Sequence, residues 1–107
     1  MRNHYIDEYD DIEWLKSLTF YHGTSTAVQI PHGILKPSCE TGTIREKELR
    51  QVYITTSIGS ARRYAQKATN RFGGEPIVYV VKPDLDTLVN RIDCEYVCDF
   101  AEIVAEV

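Results

Sequence analysis

Hydrophobic and polar positions follow two periods along this chain, and together they predict a domain of class α+β. Apolar residues spaced three or four apart predict one helix over about 5–17 and a second that follows a cap within Ser57–Ser60 and runs to about Arg71. Short β-branched and aromatic runs between and after them predict strands. The predicted strands are one that ends at His22, then Val52–Thr56, Ile77–Val81, Thr87–Val89, Tyr96–Cys98 and Ile103–Val107. Because helices and strands do not alternate regularly, the pattern favours α+β over α/β.

The two predicted helices differ in the charge of their polar faces. The first carries an apolar stripe and acidic residues, which suit the positive N-terminal end of a helix dipole, and we interpret it as a solvated capping helix. Its stripe consists of Tyr5, Tyr9, Ile12 and Leu15. The second has an inward stripe of Ala61, Tyr64, Ala65, Ala68 and Phe72. Its outer face carries Arg62, Arg63, Lys67 and Arg71, which we interpret as a solvated basic face.

Two polar segments lie between the predicted elements. The hydroxyls of Thr24, Ser25 and Thr26 are suitable N-caps, and they predict a short helix through Ile30. The segment Ser38–Arg50 mixes charges and has no sustained apolar face. We expect it to be a mobile surface segment, with a turn of helix near its end.

Length and composition favour one small domain over 1–107, with an N-terminal acidic helix over 1–17 and a core over 18–107. The chain has 107 residues, of which 43% are hydrophobic, enough for one core. Its net charge of −4 disfavours a nucleic-acid partner. The three cysteines, Cys39, Cys94 and Cys98, have neither the number nor the spacing of a disulfide framework or a zinc site. Without an apolar run of ~20 residues, no membrane span is predicted, and a cytoplasmic location is the default expectation.

The first candidate for chemistry is the run Phe20-Tyr21-His22-Gly23-Thr24, where a predicted strand brings a histidine directly before a glycine. A glycine there lets a ligand approach the backbone and leaves an N–H group to bind it. A histidine at a strand end is also commonly a structural hydrogen-bonding residue. The run therefore predicts the floor of a pocket only in combination with other motifs.

Three motifs in order resemble the ADP-ribosyltransferase superfamily, in the His-Tyr-acid branch that includes the poly(ADP-ribose) polymerases and the rifampin ADP-ribosyltransferases. The first is Phe20–Thr24 followed by Gly33-Ile34-Leu35-Lys36-Pro37. The second is Val52-Tyr53-Ile54-Thr55-Thr56-Ser57, which leads into the helix with Tyr64. The third is Cys94-Glu95-Tyr96-Val97. The resemblance covers most of the chain from Phe20 onward, and it implies a split, mixed β-sheet with short flanking helices.

The resemblance assigns NAD-binding roles to side chains and backbone groups in these motifs. His22 would bind a ribose hydroxyl of NAD, and the backbone of Gly23, beside Thr24, would hold the nicotinamide carboxamide. Tyr53 and Tyr64 would enclose the nicotinamide ring, because an aromatic face stacks well on a flat ring. The alternative for both tyrosines is simple packing in the core.

The resemblance also implies a catalytic acid, because a carboxylate stabilises the oxocarbenium-like ribose as the nicotinamide bond breaks. Glu95 matches the polymerase branch. Asp86, after the strand that ends at Val81, would match the rifampin-modifying branch; its alternative role is that of a turn residue. A serine that binds the carboxamide in the polymerase branch is replaced here by Ala61. Either Ser60, one residue away, takes over this cofactor-binding role after a shift of register, or one hydrogen bond to the carboxamide is missing.

Taken with the resemblance, the sequence predicts an NAD-dependent mono-ADP-ribosyltransferase that acts on a small-molecule or protein acceptor, with NAD as substrate and no metal. NAD hydrolysis and a catalytically silent module that binds NAD or ADP-ribose are the alternatives. Basic residues of the 38–50 segment, Arg45, Lys47 and Arg50, are candidates to neutralise the NAD pyrophosphate. RNA 2′-phosphotransfer on a related fold would need a set of arginine and histidine phosphate ligands that this sequence does not display.

Overall fold

The computed structural model describes residues 9–37 and 51–107. Within them the chain forms two α-helices, one turn of 3₁₀-helix over Pro31–Gly33 and seven β-strands. The helices are α1 (Tyr9–Ser17) and α2 (Ile58–Phe72). The strands are β1 (Phe20–Ser25), β2 (Ile34–Leu35), β3 (Val52–Thr55), β4 (Pro76–Pro83), β5 (Val89–Ile92), β6 (Glu95–Cys98) and β7 (Ala101–Glu106). The predicted α+β class is confirmed.

Both helices lie where the hydrophobic spacing predicts them. The Ser57 hydroxyl caps α2 by accepting from the Ser60 N–H at 3.1 Å, as an N-cap serine does. Gly73 ends the helix with φ of 84°, a backbone angle that favours glycine. The predicted helical residues before Tyr9 lie outside the described residues.

The seven strands form one sheet in the order β2-β7-β4-β1-β3-β6-β5, and every neighbouring pair is antiparallel. The expectation of a mixed sheet is therefore wrong. Parallel neighbours need a crossover connection that returns the chain to the same end of the sheet. Here β5, β6 and β7 follow one another through short turns, and α2 brings the chain back antiparallel to β1.

The two faces of the sheet are covered differently, as the alternation of side chains in β1 shows. Phe20 belongs to the larger core, in which its ring meets Tyr96 edge to face at 5.1 Å. Tyr21, one residue on, packs on the other face against Ala61 and Ala65 of α2. The larger core consists of Leu15, Phe20, Leu35, Val52, Ile54, Val81, Leu88, Tyr96, Cys98 and Ala101.

The predicted helix after Thr24 does not form. Instead, β1 continues to Ser25, and the Ser25 carbonyl and hydroxyl accept from the N–H groups of Val28 and Ala27 in a turn. The extension is stabilised by pairing with β4, since the Thr26 N–H donates to the Glu75 carbonyl at 2.9 Å. The segment 38–50, which we expect to be mobile and to carry pyrophosphate-binding cations, lies outside the described residues.

Neither described helix has the length and apolar character that a membrane crossing requires.

Candidate functional site

A cavity of about 380 Å³ opens between β1 and β3, within the size range of small-molecule sites. The two strands share one register pair, Tyr21↔Thr55. Beyond that pair, residues of both strands line the cavity, and it is closed on one side by α2 and on another by the segment that leads into β2. The lining residues that the sequence singled out are His22, Gly23, Thr24, Tyr53 and Tyr64.

The backbone of Gly23 points into this gap. In an antiparallel sheet the N–H and C=O groups of one residue point to the same side, and successive residues alternate. Gly23 stands opposite Val78, whose carbonyl accepts from the Val107 N–H on the far side of β4. The two residues therefore form a non-hydrogen-bonded pair. The N–H and C=O of Gly23 accordingly face away from β4 and towards the cavity side.

Gly23 must be glycine for a reason that differs from the predicted one. A Cβ atom at this position would lie 1.7 Å from the Ala61 carbonyl oxygen and 2.9 Å from the Ala65 nitrogen. The missing side chain thus admits helix α2, while the backbone of the same residue faces the cavity in the plane of the sheet.

His22 lies on the cavity lining, and its imidazole is hydrogen-bonded to β3. Its Nδ1 lies 2.9 Å from the carbonyl oxygen of Tyr53, which only accepts, so Nδ1 carries the hydrogen. Burial lowers the pKa of the imidazole below its usual 6.5, against the opposing effect of the bond to Tyr53. A neutral ring with hydrogen on Nδ1 leaves Nε2 as an acceptor. His22 is therefore suited to accept a hydroxyl hydrogen from a ligand.

Tyr64 joins the cavity wall to the predicted catalytic acid. Its hydroxyl donates to Oε1 of Glu95 at 2.6 Å, and this bond, with burial and the Glu95 charge, raises the pKa of Tyr64 to about 12. The ring is 39% exposed, so the expectation that Tyr64 belongs to the buried stripe of α2 is wrong. It lies at the edge of that stripe, where it lines the cavity.

Tyr53 is held by a residue that the sequence did not single out. Nη1 of Arg91 donates to the Tyr53 hydroxyl at 2.9 Å, and the guanidinium carbon lies 5.4 Å from the ring centroid. Arg91 stands at an irregularity in β5, since Asn90 pairs with Tyr96 and Ile92 with Glu95. Such a bulge redirects a side chain. The sequence offered no local signal for it.

Glu95 itself lies beside the cavity, not on its lining. Its second oxygen, Oε2, accepts from the Cys94 thiol at 3.8 Å, and the sulfur of that thiol accepts from the Thr55 hydroxyl at 3.4 Å. The Tyr64 hydroxyl therefore connects the carboxylate to the wall.

Ser60 and Asp86 do not line the cavity. The buried Ser60 hydroxyl accepts from Nη2 of Arg63 at 3.1 Å and lies 4.0 Å from the sulfur of Cys94. Asp86 is exposed in the turn after β4, where its N–H lies 3.4 Å from the carboxylate of Asp84. The structure thus brings together His22, Gly23, Thr24, Tyr53 and Tyr64, with Glu95 at the margin.

The cavity wall is largely apolar and, among the described residues, its formal charge comes from Lys36. The side chains of Val28, Ile30, Pro31 and Ile34 form much of the wall opposite β3. A wall with one ammonium and no described carboxylate is suited to a flat, partly apolar ligand that carries negative charge elsewhere.

Comparisons of the chain with protein-family models, with curated proteins and with solved structures found no match. Function is therefore inferred from the geometry of the cavity.

Proposed function

We propose that this protein is an NAD-dependent mono-ADP-ribosyltransferase, in which the nicotinamide end of NAD lies between β1 and β3. The observation that carries the proposal is the direction of the Gly23 backbone. An N–H donor and a C=O acceptor on one residue match the C=O and NH₂ groups of a carboxamide. They face a cavity whose lining includes Tyr53 and Tyr64.

The neighbouring groups support the placement of the rest of the substrate. A ring between Tyr53 and Tyr64 would gain stacking worth about 0.5–1.5 kcal/mol per pair beyond area burial. Nε2 of His22 would accept from a ribose hydroxyl. Lys36, the residue after β2, would attract the phosphates, which carry the negative charge of the dinucleotide.

The proposed reaction begins with heterolysis of the bond between the ribose and nicotinamide. The bonding electron pair stays with the nicotinamide nitrogen, which becomes neutral, and positive charge develops on the ribose. Glu95 would stabilise that charge, and the Tyr64 hydroxyl would hold the carboxylate towards the cavity. An acceptor then attacks the anomeric carbon and loses a proton to solvent.

The acid is tested by following release of nicotinamide from NAD. We expect Glu95→Gln to reduce the rate by about 10²–10³-fold, the scale for loss of a transition-state electrostatic contact. Asp86→Asn, in the exposed turn, should leave the rate unchanged and serves as the matched control. Loss of activity in Asp86→Asn alone would assign the acid to Asp86 and contradict the role of Glu95.

A binding module without turnover is the second candidate, and the position of Glu95 favours it. The carboxylate does not line the cavity and is engaged by Tyr64. For such a module, NAD would bind to the wild-type protein in a calorimetric titration, no nicotinamide would be released, and Glu95→Gln would bind NAD as tightly as the wild type.

A further inference from the structure

The partly buried thiol of Cys94 contacts the second oxygen of the proposed catalytic acid. We infer that Cys94 is a positioning residue, which fixes the orientation of the Glu95 carboxylate by donating its thiol hydrogen to Oε2. The effect of this bond on the reaction rests on the proposed function, whereas the bond itself can be tested without any substrate.

The direction of the hydrogen bonds around Cys94 follows from what each group is able to donate. The Ser57 N–H only donates, and it lies 3.0 Å from Oγ1 of Thr55, so the Thr55 hydroxyl accepts there. That hydroxyl donates its single hydrogen to the sulfur of Cys94 at 3.4 Å. A carboxylate only accepts, so the thiol hydrogen lies in the contact of 3.8 Å between the sulfur and Oε2 of Glu95. The hydrogen bonds therefore all run towards Glu95.

The Ser60 hydroxyl supports the same direction. This buried group accepts from Nη2 of Arg63 at 3.1 Å and lies 4.0 Å from the sulfur of Cys94. A guanidinium only donates, and the one thiol hydrogen is used on Glu95, so the Ser60 hydrogen points to the sulfur. Cys94 thus accepts from two hydroxyls and donates to one carboxylate.

The backbone fixes the thiol and the carboxylate beside each other. The Cys94 carbonyl accepts from the Thr56 N–H at 3.1 Å, and Glu95 stands opposite Thr55 in the pairing of β3 with β6. A thiol is a weak donor, and its bond to Glu95 depends on this fixed placement. The pairing of the two strands therefore sets the geometry of the bond.

Two donors on different oxygens restrict a carboxylate more than one donor does. The terminal torsion of a glutamate side chain has a broad distribution, so the bond from Tyr64 to Oε1 alone leaves the carboxylate able to rotate about that contact. The bond from Cys94 to Oε2 fixes the second oxygen and hence the plane of the group. Each oxygen keeps a further lone pair with which it can accept from a ribose hydroxyl.

The effect on the reaction is measured by steady-state release of nicotinamide from NAD. We expect Cys94→Ala to lower kcat by about two- to tenfold, the scale of one hydrogen bond, with the KM for NAD unchanged. Cys94→Ser keeps a donor and should restore most of kcat. Cys98→Ala is the matched control, because it removes a buried thiol of the same strand that donates to the Phe100 carbonyl instead; its kcat should equal that of the wild type.

The hydrogen bond is tested without substrate by infrared spectroscopy, since an S–H group that donates absorbs at a lower frequency than one that does not. Subtracting the spectrum of Cys94→Ser from that of the wild type isolates the Cys94 band. The same subtraction is made between Glu95→Leu and the double variant Glu95→Leu/Cys94→Ser, in which the carboxylate is absent. We expect the Cys94 band to lie at higher frequency in the Glu95→Leu pair, while the Cys98 band stays in place in all four proteins.

The two measurements separate the possible failures. A Cys94 band at the same frequency with and without Glu95 would overturn the bond and this inference, and would leave the proposed function standing. A shifted band together with a wild-type kcat in Cys94→Ala would overturn the positioning role alone. A shifted band without nicotinamide release from the wild type would overturn the proposed function and the positioning role with it.

Discussion

The hydrogen bond from Tyr64 to Glu95 joins the cavity wall to the proposed catalytic acid, and Tyr64→Phe removes it while keeping the ring. A rise of the Tyr64 pKa from 10.0 to about 12 corresponds to about 2.7 kcal/mol before screening. Because the side chain is 39% exposed, solvent reduces this contribution to about 1 kcal/mol. We therefore expect the variant to lose about 1 kcal/mol of unfolding free energy at pH 7.

The raised pKa of Tyr64 determines how the stabilisation by this hydrogen bond changes with pH. The folded state keeps the Tyr64 proton to higher pH than the unfolded chain does, so the stabilisation is complete below pH 10 and is lost as the pH rises from 10 to about 12. Urea unfolding at pH 7 and pH 11 should show the difference between wild type and Tyr64→Phe shrinking towards zero. Ionisation of Cys98 and Tyr96, whose pKa values burial raises, affects both proteins equally.

A control and an activity measurement complete the test. Tyr79→Phe removes the hydroxyl of a half-buried tyrosine for which the described residues provide no hydrogen bond, and it should cost less unfolding free energy at pH 7 than Tyr64→Phe. If Glu95 acts as proposed, Tyr64→Phe should also lower the rate of nicotinamide release while keeping NAD affinity. Equal stability of Tyr64→Phe and wild type at pH 7, or a difference that stays constant up to pH 11, would refute the contribution of this bond.

Three further predictions follow from named contacts. Gly23→Ala should destabilise the fold by at least ~1–3 kcal/mol in urea unfolding, because its Cβ would meet the Ala61 carbonyl oxygen at 1.7 Å; wild-type stability would contradict the close approach of α2 to β1. Because burial lowers the pKa of His22, the unfolded chain takes up a proton at a pH where the folded protein does not, and the wild type should lose stability as the pH falls below 6.5. His22→Gln should lack this loss of stability. Parallel stability–pH profiles of the two proteins would contradict the lowered pKa. Ser57→Ala should cost ~1 kcal/mol through loss of the cap of α2, a value that thermal unfolding at constant pH can check, with Ser17→Ala at the exposed end of α1 as the comparison.

Local patterns in the sequence were sufficient to predict the helices and most strands. The cap, the small inward residues and the terminal glycine of helix α2 all lie within one continuous stretch of sequence. The β-branched runs of β3 and β4 are long enough for the sequence to favour strand over helix. The error at Thr24–Ile30 has a physical cause. Hydroxyl residues serve equally well as helix caps and as turn formers, and pairing of β1 with β4 decides between the two roles.

The motifs singled out His22, Gly23 and Tyr53, and the structure places all three on the lining of one cavity. Their roles there stay predictions. Contacts that depend on tertiary pairing could not be predicted from the sequence. The contact between Arg91 and Tyr53 spans 38 positions and depends on a bulge, which leaves no mark in the local pattern. The packing constraint on Gly23 could not be predicted from the local sequence either, because it arises from the close approach of α2 to β1.

The central claim is that the backbone of Gly23, between β1 and β3, receives the carboxamide of nicotinamide. It is tested most directly by titrating ¹⁵N-labelled protein with nicotinamide and following the backbone amide resonances. We predict that the Gly23 amide shifts most strongly, together with those of residues around Tyr53, and that benzoate, which lacks the carboxamide NH₂ group, does not reproduce the effect. A titration that leaves the Gly23 resonance in place while others move, or that moves none, would contradict the claim.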